Sequence, residues 1–146
     1  MDVIYRAVET DEEREQAFRV RNEVFVKEQG LFESSDLDEF DSDALHIIAK
    51  LEKRVVGTVR VYQEGPELWM GGRLAVLKEY RTGNVGSGLV KEAVRSVKSK
   101  GASCFLAFIQ WKNVRYFKRL GWKPVGPMLL RHGVFHQKME ANLNIF

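Results

Sequence analysis

RTGNVGSG, residues 81–88, stands between an apolar run and a helical pattern. Upstream, GGRLAVLKEY (residues 71–80) contains the β-favouring LAVL. Downstream, LVKEAVRSVKSK (residues 89–100) sets Leu89, Val90, Ala93, Val94 and Val97 on one face at a period near 3.6. The octapeptide therefore joins a strand to a helix N-terminus, and Gly83, Gly86 and Gly88 are expected to take backbone angles that other residues resist.

Such a junction has a physical use. The first turn of a helix presents unpaired N–H groups and the positive end of its dipole, and glycines let an anion approach closely. Arg81 adds a fixed charge suited to phosphate oxygens. The plainer alternative is a glycine-rich turn that only closes a strand–helix unit. No Gly-Lys-Ser/Thr follows, so this is not a Walker loop, and the order Gly83-x-x-Gly86-x-Gly88 is not Gly-x-Gly-x-x-Gly.

The stretch resembles motif A of the Gcn5-related N-acetyltransferases (the GNAT superfamily), Arg/Gln-x-x-Gly-x-Gly/Ala, which holds the pyrophosphate of an acyl-coenzyme A. Arg81, Val85 and Gly86 fit, and Asn84 stands at the usual first glycine, where its tolerance of left-handed backbone makes the departure mild. YFKRLGWKPVG (residues 116–126) is similar to the family's FYxKLGF segment. A second likeness lies nearer the N-terminus. RNEVFVKEQG (residues 21–30), Asp36-x-Asp38-x-x-Asp41 and His46 look like ElaA-type acetyltransferases. Arg21-x-x-x-Phe25, the spaced acids, Arg60 and Arg73 are also similar, more distantly, to acyl-homoserine lactone synthases.

The resemblance implies an α/β (α+β) GNAT fold over residues 1–146. It has a mixed sheet of six to seven strands, helices on both faces and a splayed strand pair that takes the cofactor. The co-substrate would be acetyl-CoA or another acyl-CoA, with no metal. Leu74, Ala75 and Val76 would pair with its pantetheine arm, with a bulge at Gly71-Gly72. Arg81, Thr82, Gly83, Asn84, Val85, Gly86 and Ser87 would cradle its phosphates, and Asn113 and Phe117 would flank the arm. Phe25, Glu28, Asp36, Asp38 and Arg73 would face the acceptor. The family's usual base and acid positions hold Met70 and Phe117, so His46 and Tyr116 are taken as the catalytic candidates, with Glu28, Asp36 and Asp38, acting through water, and Tyr62 as further proton-handling groups. The implied activity is transfer of acetyl to a primary amine of a small molecule. A non-catalytic acyl-CoA-binding or regulatory domain is the alternative, and a lactone-synthase-like acyltransferase a second. Family members are often dimers, so a homodimer is within what the resemblance implies.

Composition bounds these readings. Of 146 residues, 45% are hydrophobic and 29% charged, as expected for one globular domain. No apolar run approaches the ~20 residues of a membrane span, and the acidic N-terminus lacks a signal-peptide pattern. One cysteine, Cys104, in an apolar stretch, fits a buried thiol and a cytoplasmic location. The net charge of +3 splits into 14 acids and 6 bases over residues 1–50 and 6 acids and 17 bases over residues 51–146. The basic part suits a polyphosphate ligand. The acidic part, and the lack of exposed aromatics interleaved with bases, argue against nucleic acid.

In chain order, Val3–Val8 reads as a strand. Residues 11–29 read as a helix or two, opened by a Thr10/Glu13 capping box and closed by Gly30. Residues 33–43, ESSDLDEFDSD, have six acids and no base. They read as a solvated loop or an acidic rim that draws a cationic amine, and lack the spacing of an EF-hand. Residues 44–51 and 55–63 pair around Lys53-Arg54. Residues 68–77 enter the phosphate loop, and 104–110 form a central strand. Residues 113–120 form a short helix, and 128–131 and 134–141 pair around His132-Gly133. His132 and His136 have i,i+4 spacing, but the β-like context and the lack of a third ligand in sequence argue against a metal. Trp111, Trp122, Phe105 and Phe108 are expected in the core.

Overall fold

In the computed structural model, which describes residues 2–144, seven strands form one mixed sheet. They are β1 (Val3–Ala7), β2 (Leu45–Leu51), β3 (Arg54–Gln63), β4 (Leu68–Val76), β5 (Cys104–Gln110), β6 (Lys123–Arg131) and β7 (Val134–Glu140). Their order is β1-β2-β3-β4-β5-β7-β6. Only β4 and β5 run parallel, joined by the right length of helix for a crossover, α2 (Val85–Ser99).

α2 forms because its apolar residues recur at the helical period. Leu89, Val90, Ala93, Val94 and Val97 are all buried against Ile47, Val56, Val61, Trp69 and Phe105. The short α3 (Val114–Arg119) packs Phe117 into the same layer. The opposite face is covered by α1 (Asp11–Arg21), whose Ala17 and Val20 meet Ile48, Val55 and Ala75. Period-two alternation along the strands divides the two cores.

α1 starts at Thr10, whose Oγ1 accepts the Glu13 N–H at 3.1 Å. The expected reciprocal bond differs: the Glu13 carboxylate takes the N–H of Glu9 rather than Thr10, together with Arg6 and Lys50. At Asn22 the helix widens into a π-helical segment that runs to Glu28, and Gly30, at φ +64°, ends it.

Several boundaries depart from sequence expectation. The β2–β3 turn is at Glu52-Lys53, with Glu52 at φ +57°, and Arg54 already belongs to the strand. β6 begins at Lys123, five residues before the expected Met128, and bends through Gly126 at φ +76°. His132 and Gly133 both take positive φ, as a tight hairpin turn requires. Trp122 and Phe105 are core residues, but Trp111 is exposed, and Phe108 points out of the opposite face. Cys104 is half-buried, its thiol 3.6 Å from Glu140 Oε2.

Candidate active site

The pairing of β4 with β5 runs from Leu68/Cys104 to Gly71/Ala107 and then stops. β4 continues to Val76 and β5 to Gln110, so the two strands part and open a gap through the sheet. A bulge accompanies the parting. Arg73 and Leu74 oppose Val59 alone, because Gly72 pairs with Arg60 and Ala75 with Thr58. Arg73 takes φ +51°, whereas Gly71 and Gly72 do not take positive φ. The bulge thus lies one residue past the expected glycine pair. A non-glycine residue in that conformation costs about 1–2 kcal/mol, offset here because the Arg73 guanidinium is held by Asp36 and Asp38 and lies over the Phe32 ring. Gly71 has a different job: a Cβ there would meet Phe105 at 2.9 Å.

Beyond the bulge, strand parity decides which backbone groups face the gap. The Leu77 N–H donates to Val56 O, so Leu77 and Ala75 face β3, and Leu74 and Val76 face the opening. Of the three residues expected along a pantetheine arm, two therefore present N–H and C=O to the gap, and the Val76 carbonyl accepts from Arg81 Nε at 2.9 Å.

The glycine-rich loop ends at the N-terminus of α2, beside this gap. Gly83, Gly86 and Gly88 all keep ordinary negative-φ-compatible backbone, and Asn84 sits at φ −100°, so no left-handed residue is used. Their value is room instead. A Cβ on Gly88 would lie 2.2 Å from the Tyr5 ring, and one on Gly86 3.5 Å from the Tyr116 hydroxyl. Asn84 makes no side-chain cap, and its carbonyl accepts the Gly88 N–H, so the N–H groups of Val85, Gly86 and Ser87 head the helix without intrahelical partners. Arg81 is already engaged: its NH1 and NH2 donate to both oxygens of Glu28 at 2.5 and 2.6 Å. This pair, about one-third exposed on each side, ties the loop to the end of the π-helical segment. It holds the Glu28 carboxyl below its ordinary range, chiefly through the Arg81 hydrogen bond.

On the sheet face away from α2 the gap opens into a cleft of about 450 Å³. Its floor includes Met70, Leu106 and Phe108, and its walls include Phe25, Tyr62 and Asn113. Asn113 caps nothing with its side chain, although it starts the α3 turn. Phe117, at the usual acid position, lines the cleft as an apolar group against Trp122. Gln29 accepts from Gln110 at 3.1 Å, and Phe32 packs on His132 at 4.6 Å, so the segment after the π-helix reaches over to β5 and the β6–β7 hairpin.

Neither of the two catalytic candidates, His46 and Tyr116, is in this cleft. His46 is buried against Phe18, with Nε2 2.9 Å from the Asp41 carbonyl. Burial pushes its pKa down and keeps it neutral. Tyr116 lies on the α2 side, its hydroxyl by Gly86. Nor are Asp36 and Asp38 a solvated rim. Asp36, Asp38 and Asp41 turn inward onto Arg21, Arg60 and Arg73, with pair distances of 2.6–3.2 Å. The reason is charge balance: the buried guanidiniums of Arg21 and Arg60 would each cost several kcal/mol unpaired, and the partly buried Arg73 adds a third positive charge. Only Glu33, Glu39 and Asp43 of the six acids stay outside this network.

Residues to which the sequence reading gave no acyl-transfer role do reach the cleft. His136 and Lys138 on β7 pair with Gln110 and Phe108 of β5, and Arg131 and Glu64 join them on the walls. The His136 Nδ1 lies 2.8 Å from the Val134 carbonyl, which makes it the N–H donor and leaves Nε2 as a lone pair. Burial pushes this histidine's pKa down, with Arg131 and His132 adding to the shift. The alternation Val134-x-His136-x-Lys138 was the available signal, since it puts both side chains on one face.

Comparison with known proteins agrees with this geometry. The acetyltransferase (GNAT) domain family model matches residues 8–143. The uncharacterized N-acetyltransferase YjcF of Bacillus subtilis (strain 168) is 30% identical over 130 residues, covering 88% of this chain and 92% of the relative. Among solved structures, Escherichia coli ElaA superposes with a TM-score of 0.85 at 19% identity, over 97% of this chain and 100% of ElaA. The CoA-dependent acyl-homoserine lactone synthase BjaI, solved with SAM and isopentyl-CoA, gives 0.84 at 18% identity, over 99% and 85%. At these identities the two structures speak for the fold.

Proposed function

The chain belongs to the acetyltransferase (GNAT) domain family, and on that premise we propose that it transfers acetyl from acetyl-CoA to a primary amine of a small molecule by direct attack in a ternary complex. One observation carries this reading: the β4–β5 gap runs between an unpaired helix N-terminus on one side of the sheet and a cleft on the other. The pyrophosphate would sit on the N–H groups of Val85, Gly86 and Ser87. The pantetheine would lie along Leu74 and Val76, with its thioester delivered to the cleft.

The reaction then needs few groups. The neutral amine attacks the thioester carbonyl, the N–C bond forms, the C–S bond breaks, and the proton lost by nitrogen ends on the thiolate. Thioesters are activated already, so holding the two reactants together supplies much of the acceleration. His136 Nε2 is the base in this proposal, because it is unprotonated, fixed in its tautomer and on the cleft wall. Tyr62 is the proton donor on the opposite wall; burial raises its pKa and keeps the phenol protonated.

The sign of the pH dependence follows. A base whose pKa is lowered stays active to a pH below the ordinary histidine value of about 6.5, and activity is lost as pH falls through the lowered value. His136→Gln is expected to reduce kcat by about 100-fold, within the usual range for a general base, and to abolish that acid limb. An unchanged limb in the variant would remove His136 from the role.

Met70 and Phe117 are the features that favour a non-catalytic acyl-CoA-binding domain. Calorimetry with acetyl-CoA at moderate salt tests what the two readings share, and saturable one-site binding is expected. Turnover of an amine panel then separates them. No binding to a well-folded sample would defeat both.

A further inference from the structure

The β6–β7 hairpin gives the cleft an unbalanced charge. Arg131 and Lys138 line it, and among the described residues neither has a carboxylate within ion-pair distance. Both lie instead against Phe108, 4.3 and 5.6 Å from its ring centroid. Arg60 and Arg73, also on the wall, are neutralised by Asp36, Asp38 and Asp41. What remains is two cations against one carboxylate, Glu64.

These cations are not placed for the cofactor's pyrophosphate. Lys138 is directly opposite Phe108 in the β5–β7 ladder, so both side chains rise from the face turned away from α2, whose N-terminus supplies the other anion-binding groups. A guanidinium lying on a ring keeps its edge N–H groups free, in the fork that fits a carboxylate or a phosphate. Phe108, with Tyr62 and Phe40 stacked at 4.6 Å across the cleft, offers apolar walls for the rest of a ligand. Positive charge here also disfavours an ammonium and so favours the neutral amine that must attack. An acceptor with only an amine would meet repulsion without compensation.

We propose that the acceptor is a primary amine that also carries an oxyanion, carboxylate or phosphate, held by Arg131 and Lys138. This rests on the acyltransferase reading for the amine but not for the anion site. The test titrates the CoA-saturated protein with matched pairs, phenylalanine against phenethylamine and O-phosphoethanolamine against ethanolamine, with inorganic phosphate as the bare anion. The Arg131 and Lys138 side-chain resonances are followed by NMR. Saturable shifts are expected for the oxyanion-bearing member of a pair, with affinity about tenfold or more above its neutral partner, the size of a charge-assisted contact. Which pair responds distinguishes carboxylate from phosphate. The Arg131→Gln/Lys138→Gln double variant should bring the ratio towards one. Equal affinity within both pairs, or no saturable shift from any oxyanion probe, overturns the proposal while CoA binding leaves the acyltransferase reading intact. Failure of CoA to bind defeats that reading instead, and the same titration on the free protein still decides the anion site.

Discussion

Arg21→Ala is expected to lower unfolding stability by about 3–5 kcal/mol, the cost of removing one partner from a buried charge network. Arg21 is 1% exposed and donates to Asp36 through Nε at 2.8 Å and to Asp41 through NH1 and NH2 at 2.7 and 2.9 Å. Without it, Asp36 keeps only Arg73, and Asp41 keeps Arg60 and the Asp38 N–H. Two carboxylates buried almost completely would then share less positive charge than they need. Urea unfolding checks this through the midpoint, and a loss under about 1 kcal/mol would give the network the small value of surface pairs.

The same network sets an acid limit. Burial raises the Asp41 pKa, but hydrogen bonds from Arg21, the Asp38 N–H and Arg60 outweigh it and hold the carboxyl below its ordinary range. A depressed folded pKa contributes stability that is full above the unfolded value, about 4, and is lost as pH falls through the folded value. In Arg21→Ala the acid unfolding transition should therefore move to higher pH.

Gly86→Val is expected to weaken acetyl-CoA binding by about 100-fold or more while the protein stays folded. The estimate corresponds to losing one or two charge-assisted hydrogen bonds from backbone N–H groups to phosphate. A Cβ at Gly86 meets only the Tyr116 hydroxyl at 3.5 Å and Val76 at 4.0 Å, so the fold has room for it. The branched methyls would crowd the helix head, where a pyrophosphate held by its N–H groups would have to come close. Calorimetry alongside thermal unfolding reads both halves of the expectation. Normal affinity in a folded variant would move the phosphates elsewhere. Gly88 would be a poor choice for the same experiment, because a side chain there displaces Tyr5 and confounds packing with binding.

How far the sequence carried depended on the range of the interactions. The α2 stripe, the Thr10 cap and the strand–loop–helix order are properties of neighbours a few residues apart, and the structure has them where local periodicity put them. The helix N-terminus after the glycine-rich loop was legible because it needs only local backbone. The role of its glycines was not, since Tyr5 lies 83 residues from Gly88 in sequence and only the folded sheet brings its ring to the helix.

The acidic loop shows the limit most clearly. As a sequence, ESSDLDEFDSD is a charge run, and charge runs are usually solvated. Its three inward aspartates are explained by Arg21, Arg60 and Arg73, which come from α1, β3 and β4. Arg81 was read as a charge suited to phosphate, and the fold also pairs it with Glu28, 53 residues away. Conversely, Arg131 and Lys138 carried no motif and His136 was weighed only as a metal ligand; all three reach the cleft because β7 pairs along the edge of β5 turned away from β4.

The chain by itself therefore determined its family, the strand and helix periods and the glycine-rich helix head, all of which depend on local backbone and side-chain spacing. The tertiary structure alone decided where β4 and β5 part, which charges are spent on each other and which remain in the cleft. Those outcomes depend on Coulombic and packing contacts between elements far apart in sequence, and no local pattern encodes which partner a buried charge will find.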